Sequence, residues 1–341
     1  MGSKRATLAA IAYHLPAGTL TNQQLADEDG GLSAELILDK TGIAERRIAA
    51  PAECASDLAV AAAQKLFQDG ICAPEDIDFL ILCTQSPDYF LPTTACLVQS
   101  RLGLPQHCGA VDLNQGCSGY VYGLAFAKSL VEAGAATNVL LITAETYSKF
   151  INPRDRTVRT IFGDAAAATL VREVVSDEEL IGPFVFGTDG TGASHLIVPA
   201  GGLRKPCTEE TSVETRDRSG SWRSEQNLYM NGAEIFNFTL KVVPRTVQAL
   251  LERSRLTLAD IDWFIFHQAN RFMLEHLRSK LKIPSEKYVI SLGDCGNTVS
   301  SSIPIALKRE WMRGAIRPRQ TLMMVGFGVG LSWAGALLRT T

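Results

Sequence analysis

The sequence predicts an α/β protein made of two duplicated halves, and three observations carry that expectation. Short apolar, strand-like runs alternate with amphipathic, helix-like segments along the whole chain, the pattern of sheets covered on both faces. The segments PEDIDFLILCTQS (74–86) and LADIDWFIFHQAN (258–270) both read Asp-Ile-Asp, four apolar residues, then a small polar cluster. A second pair follows in the same order: AVDLNQGCSGYVYGLAFAKSLVEAGAATNVLLITAE (110–145) and VISLGDCGNTVSSSIPIALKREWMRGAIRPRQTLMMVGFG (289–328). Each of these reads as a strand, a Gly-bearing turn, a helix ending at Gly134 or Gly314, and another strand. A period this long marks a duplicated domain rather than a solenoid unit.

The elements follow in chain order. The N-terminal run ATLAAIAYHLP is broken by His14 and Pro16 before it reaches signal-peptide length, so it predicts a first strand. Position 6 is Ala, which argues against Gly2 myristoylation. Amphipathic helices are expected upstream of each Asp-Ile-Asp strand, in SDLAVAAAQKLFQDG (56–70) and KVVPRTVQALLERS (241–254). The helix after Cys117 is apolar on nearly every side (Val121, Leu124, Phe126, Val131), which predicts burial between layers. The polar bridge REVVSDEEL places the division near residue 175, giving halves 1–175 and 176–341. The long polar segment 201–227 is either a surface excursion near a mouth or interface, or a disordered insert. DGTGASHL (189–196) has glycines but lacks the strand, helix and distant acid of a nucleotide loop, so it predicts a turn.

Composition narrows the function. With 46% hydrophobic and 20% charged residues the chain is a globular protein with a large core, and no apolar run is long enough to span a membrane. A net charge of -3 gives no global basic field, which argues against a nucleic-acid partner. The eight cysteines contain no C-x-x-C pair and several sit in apolar runs, predicting free thiols, mostly buried, in a reducing, cytoplasmic setting.

One of these thiols stands apart. Cys117, in NQGCSGY, falls where a strand pattern gives way to a helix pattern. Unpaired backbone N–H groups and the positive end of the helix dipole stabilise a thiolate there, predicting a low thiol pKa. In the second half His267 sits at a strand end and Asn297 on a Gly-flanked turn, the equivalent position to Cys117. Active sites in open α/β sheets lie at such strand ends.

These segments resemble the thiolase-like condensing enzymes, and within them the β-ketoacyl-acyl-carrier-protein synthase III family. The resemblance spans essentially the whole chain and is carried by KTGIAERRIAAP (40–51), the Cys117 segment, RTIFGDAAAATLV (159–171), MNGAEIFNF (230–238), FHQAN (266–270), GNTVSSSIP (296–304) and GFGVGLSWAGALL (326–338). It implies a thiolase-like fold, two duplicated halves in a five-layer α-β-α-β-α arrangement. It implies an acyltransferase in which Cys117 is acylated from a thioester and His267 and Asn297 drive a decarboxylative Claisen condensation with malonyl-carrier protein. The oxyanion hole would be the backbone N–H groups of Cys117 and Val329, and Phe327 would contact substrate. Neither a metal nor a redox cofactor is implied; acyl-CoA, acyl carrier protein and a second copy of the chain, in a homodimer, are the implied partners.

The resemblance also locates departures. The family's adenine-clasping Trp and Arg are replaced by Leu36 and Lys40, while Arg156 matches an adenine-contacting Arg. Leu91 aligns with an aromatic that the dimer partner inserts into the acyl pocket, so longer or branched primers are expected to enter. Arg271, Arg278, Lys280 and Lys282 would form a basic rim for an acidic carrier protein, Arg271 foremost, although the family's key Arg sits at Phe272. His276 is expected to be structural. Two other readings remain open on sequence: a same-fold acyltransferase serving an alcohol or amine, and a non-catalytic partner subunit.

Overall fold

In the computed structural model, which describes residues 2–29 and 31–341, the apolar runs form two main sheets. The first half contributes β1 (Ser3–His14), β2 (Phe79–Cys83), β3 (Gly109–Leu113), β4 (Asn138–Glu145) and β5 (Ala165–Ser176). The second contributes β6 (Ile181–Thr188), β7 (Trp263–Phe266), β8 (Thr321–Gly328) and β9 (Ser332–Arg339). Their spatial orders, β1-β5-β4-β2-β3 and β6-β9-β8-β7, are the same order repeated. In each, the β4–β2 or β8–β7 pair is parallel and the remaining equivalent pairs are antiparallel. A parallel bridge between Phe264 and Tyr288 stands where β3 lies in the first sheet.

Side-chain alternation along the strands builds the layers. Leu80, Leu82, Leu140 and Ile142 face outward and pack with Leu58 and Leu66 of α1 (Ala55–Gln68). Their neighbours Ile81, Val139 and Leu141 face inward onto Val121 and Leu124 of α2 (Gly119–Glu132). The same inner cluster takes in Ile265 and Met324 of the second sheet and Ile303 and Leu307, which belong to a second central helix described below with the Asn297 turn. Phe264, Phe266, Met323 and Val325 face the other way and pack with Val243 and Leu250 of α3 (Gly232–Ser254) and Leu274 and Leu277 of α4 (Arg271–Leu281). Helices therefore cover both sheets and fill the space between them, the five layers expected.

Three expectations change in detail. α2 is not enclosed on every side: Phe126 is 49% exposed, and Lys128 pairs with Glu132 and Glu179, because one edge of the helix reaches the surface. The polar bridge is half strand, since REVVS completes β5 opposite Ser3–Thr7 and only residues 177–180 connect β5 to β6. Segment 201–227 is ordered rather than disordered. It holds a helical turn, Glu209–Ser212, and a small ribbon pairing Thr215–Arg216 with Trp222–Arg223. Arg223 fastens that ribbon to the buried Asp155 at 3.0 Å and to Asp217 at 2.7 Å. All eight cysteines are free; Cys72, Cys83, Cys108, Cys117 and Cys295 are buried, Cys54 is half-buried, and Cys96 and Cys207 are exposed.

Candidate active site

Cys117 lies buried two residues before α2 begins. Its flanking glycines are required by close approach: a Cβ on Gly116 would lie 2.3 Å from Val329 Cγ1, and one on Gly119 would lie 2.3 Å from Cys83 Sγ. On the opposite wall a Cβ on Gly328, the last residue of β8, would lie 2.8 Å from Cys117 Sγ. The thiol does not show the low pKa expected from its helix end. Burial pushes it up to about 12 and the buried Glu145 carboxyl adds to this, while backbone hydrogen bonds from Val329 and from Cys117 itself oppose the rise. Desolvation outweighs the helix terminus. The two amides proposed for the oxyanion hole are nonetheless the ones that reach Sγ.

His267 follows β7 directly, and its backbone N–H bonds to Val325 of β8 at 2.9 Å. The ring stands edge-on to Phe327, with centroids 5.4 Å apart, so Phe327 forms a buried wall of the site. Burial drives the imidazole down to about 3, leaving it neutral, against a weaker opposing hydrogen bond that the ring donates to the Val299 backbone carbonyl. Ser302 Oγ lies 2.8 Å from Nδ1 and accepts a 3.3 Å hydrogen bond from the Gln268 N–H. Donor and acceptor roles in this contact follow the ring's tautomer, and Nε2 is the ring nitrogen that Ser302 does not hold.

Asn297 lies on the turn that leads into α5 (Ser302–Met312), the second central helix, and bridges to Phe162 in the first half. Its Oδ1 accepts the Val299 N–H at 2.9 Å, so the amide presents Nδ2 as a donor. Val299 thus contacts both side chains. It does so with φ +52°, a left-handed conformation that a β-branched residue rarely adopts. Strain of this kind persists where surroundings over-determine it, often at functional sites. Behind the turn, Ser300 Oγ donates to the fully buried Glu145 at 3.1 Å, and Glu145 also accepts from Gln85 N and Ser86 Oγ. Cys117 and His267 therefore stand at the C-terminal end of β8, and Val299 links the His267 ring to the Asn297 amide.

The other predicted residues scatter. Arg156 lines a cavity of about 250 Å³ with Arg154, Arg159 and Trp222, whereas Leu36 and Lys40 stand on an exposed helix outside that lining. Leu91 is 86% exposed beside Tyr89 and Phe90. Arg271 packs over Gly42; Arg278 bonds to Glu275 and to the Ile283 carbonyl, and Lys280 to the Leu240 carbonyl, while Lys282 caps α4 with a left-handed φ. His276 packs against Phe236 and Phe272, as a structural ring does. Sequence reasoning missed Trp222, whose face carries the Arg154 guanidinium 4.6 Å from the ring centre, because nothing in a polar insert announces where its ribbon folds back. It also missed Val299 and Ser302, which reach His267 and Asn297 within the second half, and Glu145, which Ser300 reaches across the two halves.

Two repeated α/β halves with helices between and outside their sheets, and a buried thiol heading one of the central helices, define the thiolase-like fold. Comparison with known proteins makes this specific. Residues 111–190 match the 3-oxoacyl-[acyl-carrier-protein] synthase III family model, and residues 251–340 match its C-terminal model. The chain is 41% identical to a protein named beta-ketoacyl-[acyl-carrier-protein] synthase III from Caldanaerobacter subterraneus, over 98% of this chain and 97% of that one. Among solved structures, a 3-oxoacyl-(acyl-carrier-protein) synthase III superposes with TM-score 0.97 at 54% identity, covering 98% of this chain and 99% of that one. The priming β-ketosynthase of the R1128 polyketide pathway superposes with TM-score 0.85 at 31% identity, covering 100% and 98%. The chain belongs to the β-ketoacyl-acyl-carrier-protein synthase III family.

Proposed function

We propose that the chain joins an acyl primer to malonyl-carrier protein by a two-step decarboxylative Claisen condensation, priming a fatty acid or polyketide pathway. The half 1–175 supplies the nucleophile and the half 176–341 the decarboxylating pair. In the first step Cys117 Sγ attacks the carbonyl of an acyl thioester. The Cys117 and Val329 N–H groups hold the tetrahedral oxyanion, and the Cys117 proton ends on the departing thiol. In the second step malonyl-carrier protein places its thioester oxygen between His267 Nε2–H and Asn297 Nδ2–H. Carbon dioxide leaves, and the enolate charge develops against two preset donors in a site sealed from water. The enolate carbon attacks the acyl-Cys117 carbonyl; collapse expels the thiolate, which takes up a proton, and the β-ketoacyl thioester departs on the carrier. Every group in this scheme is a side chain or amide of the chain itself, with no metal or redox group.

The observation that carries the proposal is donor polarity. Val299 N–H occupies Asn297 Oδ1, so that amide offers hydrogen rather than a lone pair, and Ser302 at Nδ1 leaves Nε2 as the His267 nitrogen that would meet the substrate. An alcohol or amine acceptor would instead need a base. The exposed Tyr89, Phe90 and Leu91 support a homodimer that covers them. A reaction through a free Cys117 thiol suits the reducing cytoplasm. Intact-protein mass spectrometry with a panel of acyl-CoA and acyl-carrier-protein donors tests the scheme. One acyl adduct absent from Cys117→Ala and discharged by malonyl-carrier protein as a β-ketoacyl product supports it. An adduct that clears only with an alcohol or amine would replace it with simple acyl transfer, and absence of any adduct would favour the partner-subunit reading.

A further inference from the structure

A cavity bordered by Val329, whose side chain crowds Gly116 next to Cys117, contains a polar corner for which a plain alkyl chain has no use. It encloses about 840 Å³, and much of its wall is apolar, including Phe150, Leu196, Val198 and Leu228. Gln85, Asn114 and Tyr147 interrupt that wall. The corner is close to the thiol: a Cβ on Gly116 would come within 2.6 Å of Gln85 Oε1, and Tyr147 packs in the same buried cluster as Cys117.

Its hydrogen bonds leave a surplus of donors. Tyr147 O–H donates to Gln85 Oε1 at 2.6 Å, which fixes the amide orientation and turns Nε2 toward Asn114 Oδ1 at 3.2 Å. Each primary amide carries two N–H protons. One Gln85 Nε2 proton and both Asn114 Nδ2 protons consequently have no protein partner among the described residues. An alkyl primer lying against this corner would strip water from the half-buried Gln85 donor without replacing it, whereas an oxygen on the acyl chain would accept from it, with the exposed Asn114 amide beside it.

We infer that Gln85 and Asn114 select acyl primers that carry a hydroxyl or carbonyl oxygen on the chain over unsubstituted primers of the same length. This rests on the acyl-Cys117 reading above and adds a specificity to it. Sites built to hydrogen-bond a substrate group discriminate far more strongly than sites that merely fit a shape.

The test compares initial rates of Cys117 acylation by 3-hydroxybutyryl and butyryl thioesters, each offered on CoA and on carrier protein and read by intact mass. The wild-type chain should prefer the hydroxylated donor by at least about tenfold. Gln85→Leu should bring that ratio to about one. Asn114→Ala, at an exposed position that leaves the Tyr147 bond intact, should lower the ratio in the same direction. Acylation without preference in the wild type, or a ratio unchanged in both variants, would overturn the inference alone. Absence of any adduct on Cys117 from all four donors would overturn the acyl-enzyme reading and this inference together.

Discussion

Gly328→Ala puts a methyl group directly against the proposed nucleophile. The new Cβ would stand 2.8 Å from Cys117 Sγ and 2.9 Å from Cys117 Cβ, where ordinary contact begins at 3.4 Å. The difference, 3.4 − 2.8 = 0.6 Å, must be taken up by movement. Sγ can swing about χ1, but Cβ is fixed to the backbone, so the head of α2 has to yield by a similar distance. A misplacement of ~1 Å at a reacting group costs on the order of 10²-fold in rate. For the smaller shift, acyl-enzyme formation should slow by ~10- to 10²-fold, about 1.4–2.7 kcal/mol in activation free energy. Gly328 does not occupy the left-handed region, so the substitution adds no backbone strain of its own. Rapid-quench intact mass spectrometry measures the rate, and thermal unfolding checks that the variant is folded. A folded Gly328→Ala chain that acylates within about twofold of wild type would refute the claim that Cys117 Sγ works against this wall.

Other consequences concern stability. Glu145 is raised to about 8 from 4.5, chiefly by burial, so the folded chain holds a proton that the unfolded chain has lost between those values. That contribution is complete below about 4.5 and disappears as pH rises through about 8; wild-type Tm should therefore decline across this window more steeply than that of Glu145→Gln, as measured by scanning calorimetry. His267 behaves in the opposite sense: lowered to about 3 from 6.5, it should erode stability as pH falls through that interval, and urea midpoints should show less acid sensitivity in His267→Phe. Leu124→Ala, at a fully buried position between the sheets, should cost about 2–5 kcal/mol in denaturant unfolding. Arg223→Ala should strip the buried Asp155 of its ion pair and loosen the ribbon, raising the rate of limited proteolysis within residues 214–223 while the two main sheets stay folded.

The duplication was legible because sheet topology is written in period: Asp-Ile-Asp plus four apolar residues marks β2 and β7, and both strands end where the site begins. Cys117, His267 and Asn297 could be singled out because each stands at a strand-to-loop transition in a repeated frame. What surrounded them could not. Ser302 and Val299 look like ordinary members of VSSSIP, and their meaning depends on which ring nitrogen and which amide oxygen they reach. The thiol pKa was misjudged for a similar reason. A helix terminus can be read locally, but the burial that overcomes it, with β8 packed on the thiol, and the added effect of the Glu145 carboxyl come from residues remote in sequence. The ribbon of 214–223 escaped because its holds come from another segment, Arg223 reaching Asp155 while Glu214 and Trp222 meet Arg154.

The central claim is that Asn297 presents donors to a developing enolate. It is tested most directly by pre-forming the acyl-enzyme of Asn297→Asp and following its discharge by malonyl-carrier protein. This change keeps shape but exchanges the Nδ2 donors for an anionic acceptor. Acylation should persist while discharge falls by at least ~10²-fold, the loss typical of removing one such donor. Discharge at the wild-type rate would contradict the account.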